Sequence, residues 1–371
     1  MAAFRYRPFR TQPRRLSRML LGRGFVTNVP PTITVPGAQS ATSNVALAIT
    51  GTSIADAESN NQTVSLSVSH GTISAASLVG LTGSGNGTGT WSYSGTIAAI
   101  NTAIATLTYT STTDYEGSDT LTINSTDSGG GAAAQKTVAI TVDWIPSSAA
   151  SLVGEWINDA AYFYSDAGTT QAVVTDPVYR WTSKNSSSLY VQNSTLGSRP
   201  VLNSVGGKLA ITGTTGGKFL SNTTFGPYNT GTFGFGIKMV TRGGASLNCP
   251  SGFNGPTSGT ANVYLGENGS NNWFAGNNAG AAEINSATAT DTSTHSLIIT
   301  RTSGGNMQLY LDGVSLGTCS ASGTGTAGIV LCQYGGGNYL WDGYIYTVNV
   351  FNAVLGATAL ANLHTHIAGR M

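Results

Sequence analysis

Cleaving a glycosidic bond needs two carboxylates flanking it, about 5–9.5 Å apart. Residues 151–371 offer Glu155, Glu267 and Glu283, widely spaced and each near Gly/Asn turns. No E-x-D-x-x-E arrangement brings two acids onto one strand. Asp312 precedes Gly313, a dipeptide whose ordinary role is to close a hairpin. The histidines are His70, His295, His364 and His366. The last two lie two residues apart and face different directions on a helix. Neither a G-x-S-x-G nucleophile elbow nor a P-loop occurs. Cys249, Cys319 and Cys332 lack the CxxC metal spacing, and their odd number leaves at least one unpaired, so buried free thiols are expected. Catalysis is therefore not expected of this chain.

Two other groups of residues suit binding. Sugars are held in shallow sites by aromatic stacking and amide hydrogen bonds. Asn271-Asn272-Trp273 and the group Tyr334, Asn338, Tyr339 and Trp341 combine those residue types near loops. The competing reading is that such aromatic rings fill the core between two sheets.

The second group is an arm. The first 23 residues carry seven arginines (Arg5, Arg7, Arg10, Arg14, Arg15, Arg18 and Arg23) and no acid. The other 348 residues carry the remaining ten basic and all sixteen acidic side chains, so the formal net charge of +1 conceals a divided molecule. Arg-rich termini bind nucleic acid by neutralising phosphates, and some are simple solubilising tails. Here Phe4, Tyr6, Phe9 and Phe25 interleave with the arginines, and Pro8 and Pro13 keep the chain extended. Arginine and aromatic anchors dominate binding at protein interfaces, so a protein socket is the favoured partner and nucleic acid the less favoured. The apolar run Met19–Leu21 is too short for a secretory signal, and no small-residue cleavage site follows. No membrane span is expected either, because no stretch approaches the roughly 20 apolar residues that crossing requires.

The elements that must position these residues are read from composition and period. Only 9% of residues are charged, against roughly 25% in ordinary soluble proteins. Gly, Ser, Thr and Asn fill the surface instead, which favours an all-β chain and suits extracellular or virion proteins. Residues 1–28 form the extended arm and residues 29–144 a first β-sandwich. Its alternating runs include Val64–Val68, Leu121–Ile123 and Val138–Val142. A short helical turn is expected over Thr96–Ala105, where apolar residues fall at 97, 100 and 104. Residues 145–150 read as a linker and residues 151–371 as a second sandwich. That sandwich has a hairpin at Asp312-Gly313 and an amphipathic helix over Gly356–Ile367.

The first sandwich resembles the cadherin-like and bacterial immunoglobulin-like repeats of surface proteins. The likeness rests on Val68-Ser69-His70-Gly71-Thr72-Ile73, Leu81-Thr82-Gly83, Gly95–Tyr109 and Asp114–Ile123 with Asp127. It implies a spacer, in some members stiffened by calcium. Asp56, Glu58, Asp114, Glu116, Asp119 and Asp127 could supply oxygen ligands, while a solvated turn over Asp114–Asp119 is the plain alternative. The second sandwich resembles the concanavalin A-like, laminin-G-type jelly roll. The residues carrying this likeness are Trp181, Arg199-Pro200-Val201-Leu202, Leu309–Val314 and Asp342–Val348 with the trailing helix. That fold hosts lectins, glycosidases and interaction modules alike.

Arm, spacer and lectin-like tip together resemble a tailed-bacteriophage virion protein, a capsid decoration, head-fibre or tail-fibre component. The resemblance implies assembly in the host cytoplasm and a place on the particle exterior. It also implies docking through the arm (Tyr6 and Phe9 among its anchors) onto capsid, portal or tail proteins, homo-oligomeric copies, and host-surface glycans as partners. A secreted bacterial adhesin is the runner-up, and a glycan-cleaving jelly roll the third reading.

Overall fold

The computed structural model describes residues 27–58, 61–213, 218–240, 248–253, 263–276, 283–320, 328–334 and 339–371. The fold is all-β, with two short α-helices among the described residues. In the first sandwich, six strands lie in the order Gln39–Thr42, Lys136–Asp143, Gly117–Asp127, Gln62–Ser67, Thr90–Gly95 and Leu81–Ser84. A smaller sheet of Leu47–Ala48, Thr108–Ser111 and Gly71–Ser74 faces into the same core. The period of two does the sorting, with Val64 and Leu66 turned inward and the residues between them outward. Helix α1 (Ile97–Ile104) closes this core with Ile100, Ala103 and Ile104, and the Thr96 hydroxyl caps it by accepting from the Ala99 N–H at 3.2 Å. Asn28 donates to both carboxylate oxygens of Asp127, at 2.9 and 3.1 Å, which ties it to the first sandwich.

The second sandwich packs two large sheets face to face. The eight-stranded sheet runs Val201–Val205, Lys208–Gly213, Gly343–Phe351, Gly231–Met239, Thr294–Arg301, Asn306–Leu311 and Val314–Ser320, and Leu152–Trp156 also pairs with Gly343–Phe351. The nine-stranded sheet runs Phe163–Tyr164, Arg180–Ser183, Ser186–Gln192, Leu220–Asn222, Ile329–Leu331, Asn248–Phe253, Val263–Glu267, Asn272–Gly276 and Glu283–Ala289. Asp312 and Gly313 turn the hairpin with φ of 49° and 80°, the left-handed pair that a tight two-residue turn requires.

The two outer faces of this sandwich differ. Helix α2 (Ala357–Ala368) covers the outside of the eight-stranded sheet, burying Ala359, Leu363 and Ile367 against Ile298 and Phe351. Trp144, at the end of the first sandwich, belongs to the same apolar cluster. Its indole N–H donates to Asp114 Oδ1 at 3.2 Å, which also accepts from Asn44 Nδ2 at 3.0 Å. From α2, Asn362 donates to the Asp114 carbonyl at 2.7 Å. The segment joining the sandwiches is thus pinned, with a single 3-10 turn at Pro146–Ser148 and Ala149 buried beside Trp144.

Trp144→Ala removes a buried ring from this joint and is expected to cost about 3 kcal/mol. Urea unfolding should then show two separated transitions in place of one. Small-angle scattering should show a wider spread of end-to-end distances. A single transition with unchanged scattering would mean that the ring does not couple the sandwiches.

Candidate functional site

Alternation decides which side chains of the nine-stranded sheet can meet a ligand. Trp181 is fully buried, stacked on Phe163 with 4.9 Å between centroids, and donates its indole N–H to the Ile157 carbonyl at 3.1 Å. Successive strand residues point to opposite faces, so Arg180 points outward. Register carries that assignment across the sheet. Arg180 stands opposite Tyr164 and Gln192, Gln192 opposite Ser221, and Ser221 opposite Val330. The row continues through Gly252, Tyr264 and Gly276 to Glu283. Val330 and Tyr264, in its middle, are buried, whereas Arg180, Gln192 and Ser221 are partly exposed.

At the exposed end, Ser186–Gln192 and Leu220–Asn222 pair through Gln192 and Ser221 and frame a groove of ≈ 500 Å³. Tyr190, Gln192, Ser194, Phe219, Ser221 and Asn222 are among its lining residues. Amide side chains fix its walls. Asn193 donates to the Ser198 and Phe219 carbonyls at 2.9 and 3.0 Å, and Asn222 donates to the Tyr190 carbonyl at 2.7 Å. Beside the groove the Arg180 guanidinium lies 3.9 Å from the Tyr190 ring centroid and donates from Nη2 to Gln192 Oε1 at 3.1 Å. Such a stack contributes about 1 kcal/mol at a half-exposed site, enough to bias the side chain toward one orientation. Arg199 lies 4.7 Å over Tyr179 and donates to the Asn193, Ser194 and Ser165 carbonyls. Among the described residues neither arginine has a carboxylate within ion-pair distance. An aromatic ring, amides, hydroxyls and an oriented guanidinium on one face can hold a hydroxyl-rich ligand. Sequence reading passed over Arg180, Tyr190 and Gln192, although their period-two spacing around Trp181 and Val191 marks them as outward.

The aromatic residues expected to stack on sugars lie elsewhere. Trp273 and Trp341 are fully buried in the core between the sheets, so their rings are out of a glycan's reach. Trp273 shares its inward face with Ala275 and meets His295 edge-on at 5.3 Å. The asparagines beside Trp273 build a turn. Asn271 has φ 60°, and the Asn272 N–H is taken by Asn268 Oδ1 at 3.0 Å. Tyr334 and Tyr339 stand opposite each other in a two-stranded hairpin. Asn338 and the arm arginines lie outside the described residues, as do the arm's Tyr6 and Phe9.

The acids proposed for calcium do not converge. Among the described residues no group of three metal-ligating side chains comes together. Asp119 accepts from the Ser69, His70 and Thr120 N–H groups and from the Tyr109 hydroxyl. Asp127 is taken by Asn28 and Gly131, Asp56 by Glu58 N–H and Gln62, and Asp114 serves the joint between sandwiches. These carboxylates are spent on protein donors, each in its own place.

Nor do the glutamates of the second sandwich form a pair. Register puts Glu267 on the inward face with Trp273, and Glu283 on the outward face with Gly276. Glu155 is buried beneath α2, where it accepts from His366 Nε2 at 3.0 Å with Lys184 Nζ at 3.7 Å. Burial opposes its ionisation, but the His366 hydrogen bond and the Lys184 and Arg370 charges outweigh that and hold its pKa below the usual range. The cysteines are free thiols, and burial pushes Cys249 and Cys332 far above the ordinary thiol range.

At the sandwich rim, His295 is bracketed by Asp312 Oδ2 at 2.7 Å and Asp291 Oδ1 at 2.9 Å. Burial disfavours its charged form, yet the bonds and charges of Asp312 and Asp291 prevail and raise its pKa. A raised histidine pKa contributes stability that is fully present below the unfolded value, about 6.5, and is lost as pH rises through the folded value. His295→Gln should therefore destabilise the protein more at pH 5.5 than at pH 9 in urea titrations. An equal cost at both values would mean that the bracket contributes no charge-dependent stability.

No family model matches the chain, and the comparison with curated proteins finds no match. Among solved structures, the chain is similar to Trypanosoma rangeli sialidase at 14% identity and TM-score 0.42, over 64% of this chain and 34% of that one. It is similar also to domain 4 of AbnA, a GH43 extracellular arabinanase from Geobacillus stearothermophilus, at 10% identity and TM-score 0.38. That match covers 58% of this chain and 98% of the domain. The binding domain of botulinum neurotoxin DC, in complex with SialylT, matches at 15% identity and TM-score 0.39, over 60% and 52% of the two chains. This chain thus spans about a third of the length of the sialidase structures it matches. Likenesses of this degree assign no function.

Proposed function

We propose that the chain is a non-enzymatic display protein of a virion, a capsid decoration, head fibre or tail fibre component, that holds glycans in the outward groove of its second sandwich. The groove bounded by Tyr190, Gln192 and Ser221, with Arg180 stacked on Tyr190, carries the glycan part of this reading. It offers a ring face and amide and hydroxyl partners without the apolar enclosure typical of a small-molecule pocket. Support for a non-catalytic role comes from Glu267 and Glu283, which point to opposite faces of their sheet. Docking through the arm rests on its seven arginines and interleaved aromatic residues, and several copies per particle raise the avidity of a weak groove.

Tyr190→Ala is expected to lower polysaccharide binding about tenfold, equivalent to ~1.4 kcal/mol, while the circular dichroism stays that of a β protein. Trp273→Ala, in contrast, should act through stability, at about 3–5 kcal/mol for a buried ring. Full binding by the Tyr190 variant would remove the groove assignment. For the arm, truncation should end at residue 26, because Asn28 caps Asp127. Particles assembled with that truncated chain should lack it, and incorporation at the normal level would refute docking through the arm.

A further inference from the structure

We propose that the groove selects acidic glycans, and that Arg180 reads the carboxylate of a sugar acid. This rests on the glycan-binding reading above and specifies its ligand class. Between Arg180 and Arg242 the chain carries seven basic side chains and no acidic one. The groove-lining residues, from Tyr190 to Thr224, all fall within that stretch. The first sandwich, by contrast, has Lys136 as its one basic side chain over residues 29–144, against seven acids. Of these seven, Arg180 and Arg199 stand beside the groove, whereas Lys208 and Lys238 belong to the eight-stranded sheet and Lys184 pairs with Glu155.

Arg180 is prepared for such a ligand. Tyr190 supports one face of the guanidinium at 3.9 Å, and Gln192 Oε1 takes an Nη2 proton at 3.1 Å. The neutral amide orients the fork and leaves its charge uncompensated. Asp166, on the loop whose Gly168 packs against Arg180, is turned to its own loop. It accepts from the Gly168, Thr169 and Thr170 N–H groups and from the Thr169 hydroxyl. Arg199, the second arginine of this face, is occupied with backbone carbonyls, so it adds field rather than a free fork. A planar guanidinium matches a carboxylate in a bidentate geometry that a lysine ammonium cannot reproduce. The nearby amides and hydroxyls supply partners for the sugar hydroxyls.

The test uses the full chain and measures binding of oligogalacturonate, α2,8-linked oligosialic acid and hyaluronan oligosaccharides. Methyl-esterified oligogalacturonate, galactan and dextran serve as uncharged counterparts, and dextran sulfate as a plain polyanion. At least one carboxylated glycan should bind tenfold or more tightly than the uncharged glycans, and more tightly than dextran sulfate. Arg180→Gln and Arg180→Lys should both lose that preference, whereas Lys136→Gln, on the first sandwich, should keep it. Circular dichroism and urea unfolding of both Arg180 variants should match those of the parent chain, which guards against misreading a folding defect. If uncharged glycans bind as tightly as the acids, or if dextran sulfate binds equally well, carboxylate selection is overturned and the glycan reading stands. If no glycan binds, both are overturned.

Discussion

The two sheets of the second sandwich are joined by a pair of tryptophans that bond across the core. Trp156, on the strand pairing with Gly343–Phe351, donates to the Trp181 carbonyl at 3.0 Å, and Trp181 donates back across to the Ile157 carbonyl at 3.1 Å. Both rings are fully buried, so each indole N–H has to find an acceptor inside the protein. The two bonds fix one inward residue on each sheet. A slip of one residue would reverse every side chain on the strand. With Trp181 held inward, Arg180 is held outward, and register aligns Gln192 and Ser221 beside it. A core interaction thus sets the chemistry of a surface.

The opposite outer face shows the same logic with a different result. Gly234 and Gly236, on the central strand of the eight-stranded sheet, leave room for Ile367 and Leu363 of α2; a Cβ at Gly234 would come within 2.8 Å of Ile367. The helix settles there, Trp144 joins its cluster, and Asp114 receives Asn362 from α2. That face is occupied by the joint between sandwiches. The outer face of the nine-stranded sheet is covered in its middle, at Val330 and Tyr264, and partly exposed at its Arg180, Gln192 and Ser221 end.

Much of this was legible in the sequence because it is local. The alternation of Val64–Val68, the helical spacing over Thr96–Ala105, the Asp312-Gly313 hairpin and the closing helix each depend on a few adjacent residues, and each is present. The site was not legible in the same way. Arg180, Gln192 and Ser221 become neighbours through strand register over some forty positions, and period alone cannot supply that register. Trp273 and Trp341 misled for a related reason. Their Asn and Gly neighbours suggested exposed loops, whereas both rings are buried and Asn271, beside Trp273, turns the chain at a strand end. Asp114 misled in the other direction, as an acid in an apparent solvent turn that proves to be the hub of a joint. The absence of acids between Arg180 and Arg242 was legible throughout, but the stretch is divided between both sheets, and only the fold sets Arg180 beside the groove.

Charge order along the chain then constrains how a polyanion can approach. A strongly basic arm is followed by a sandwich with one base and seven acids, and then by a sandwich whose bases cluster in one acid-free stretch. At physiological salt, fields reach only about 8 Å, so each part acts on what comes near it rather than on the whole molecule.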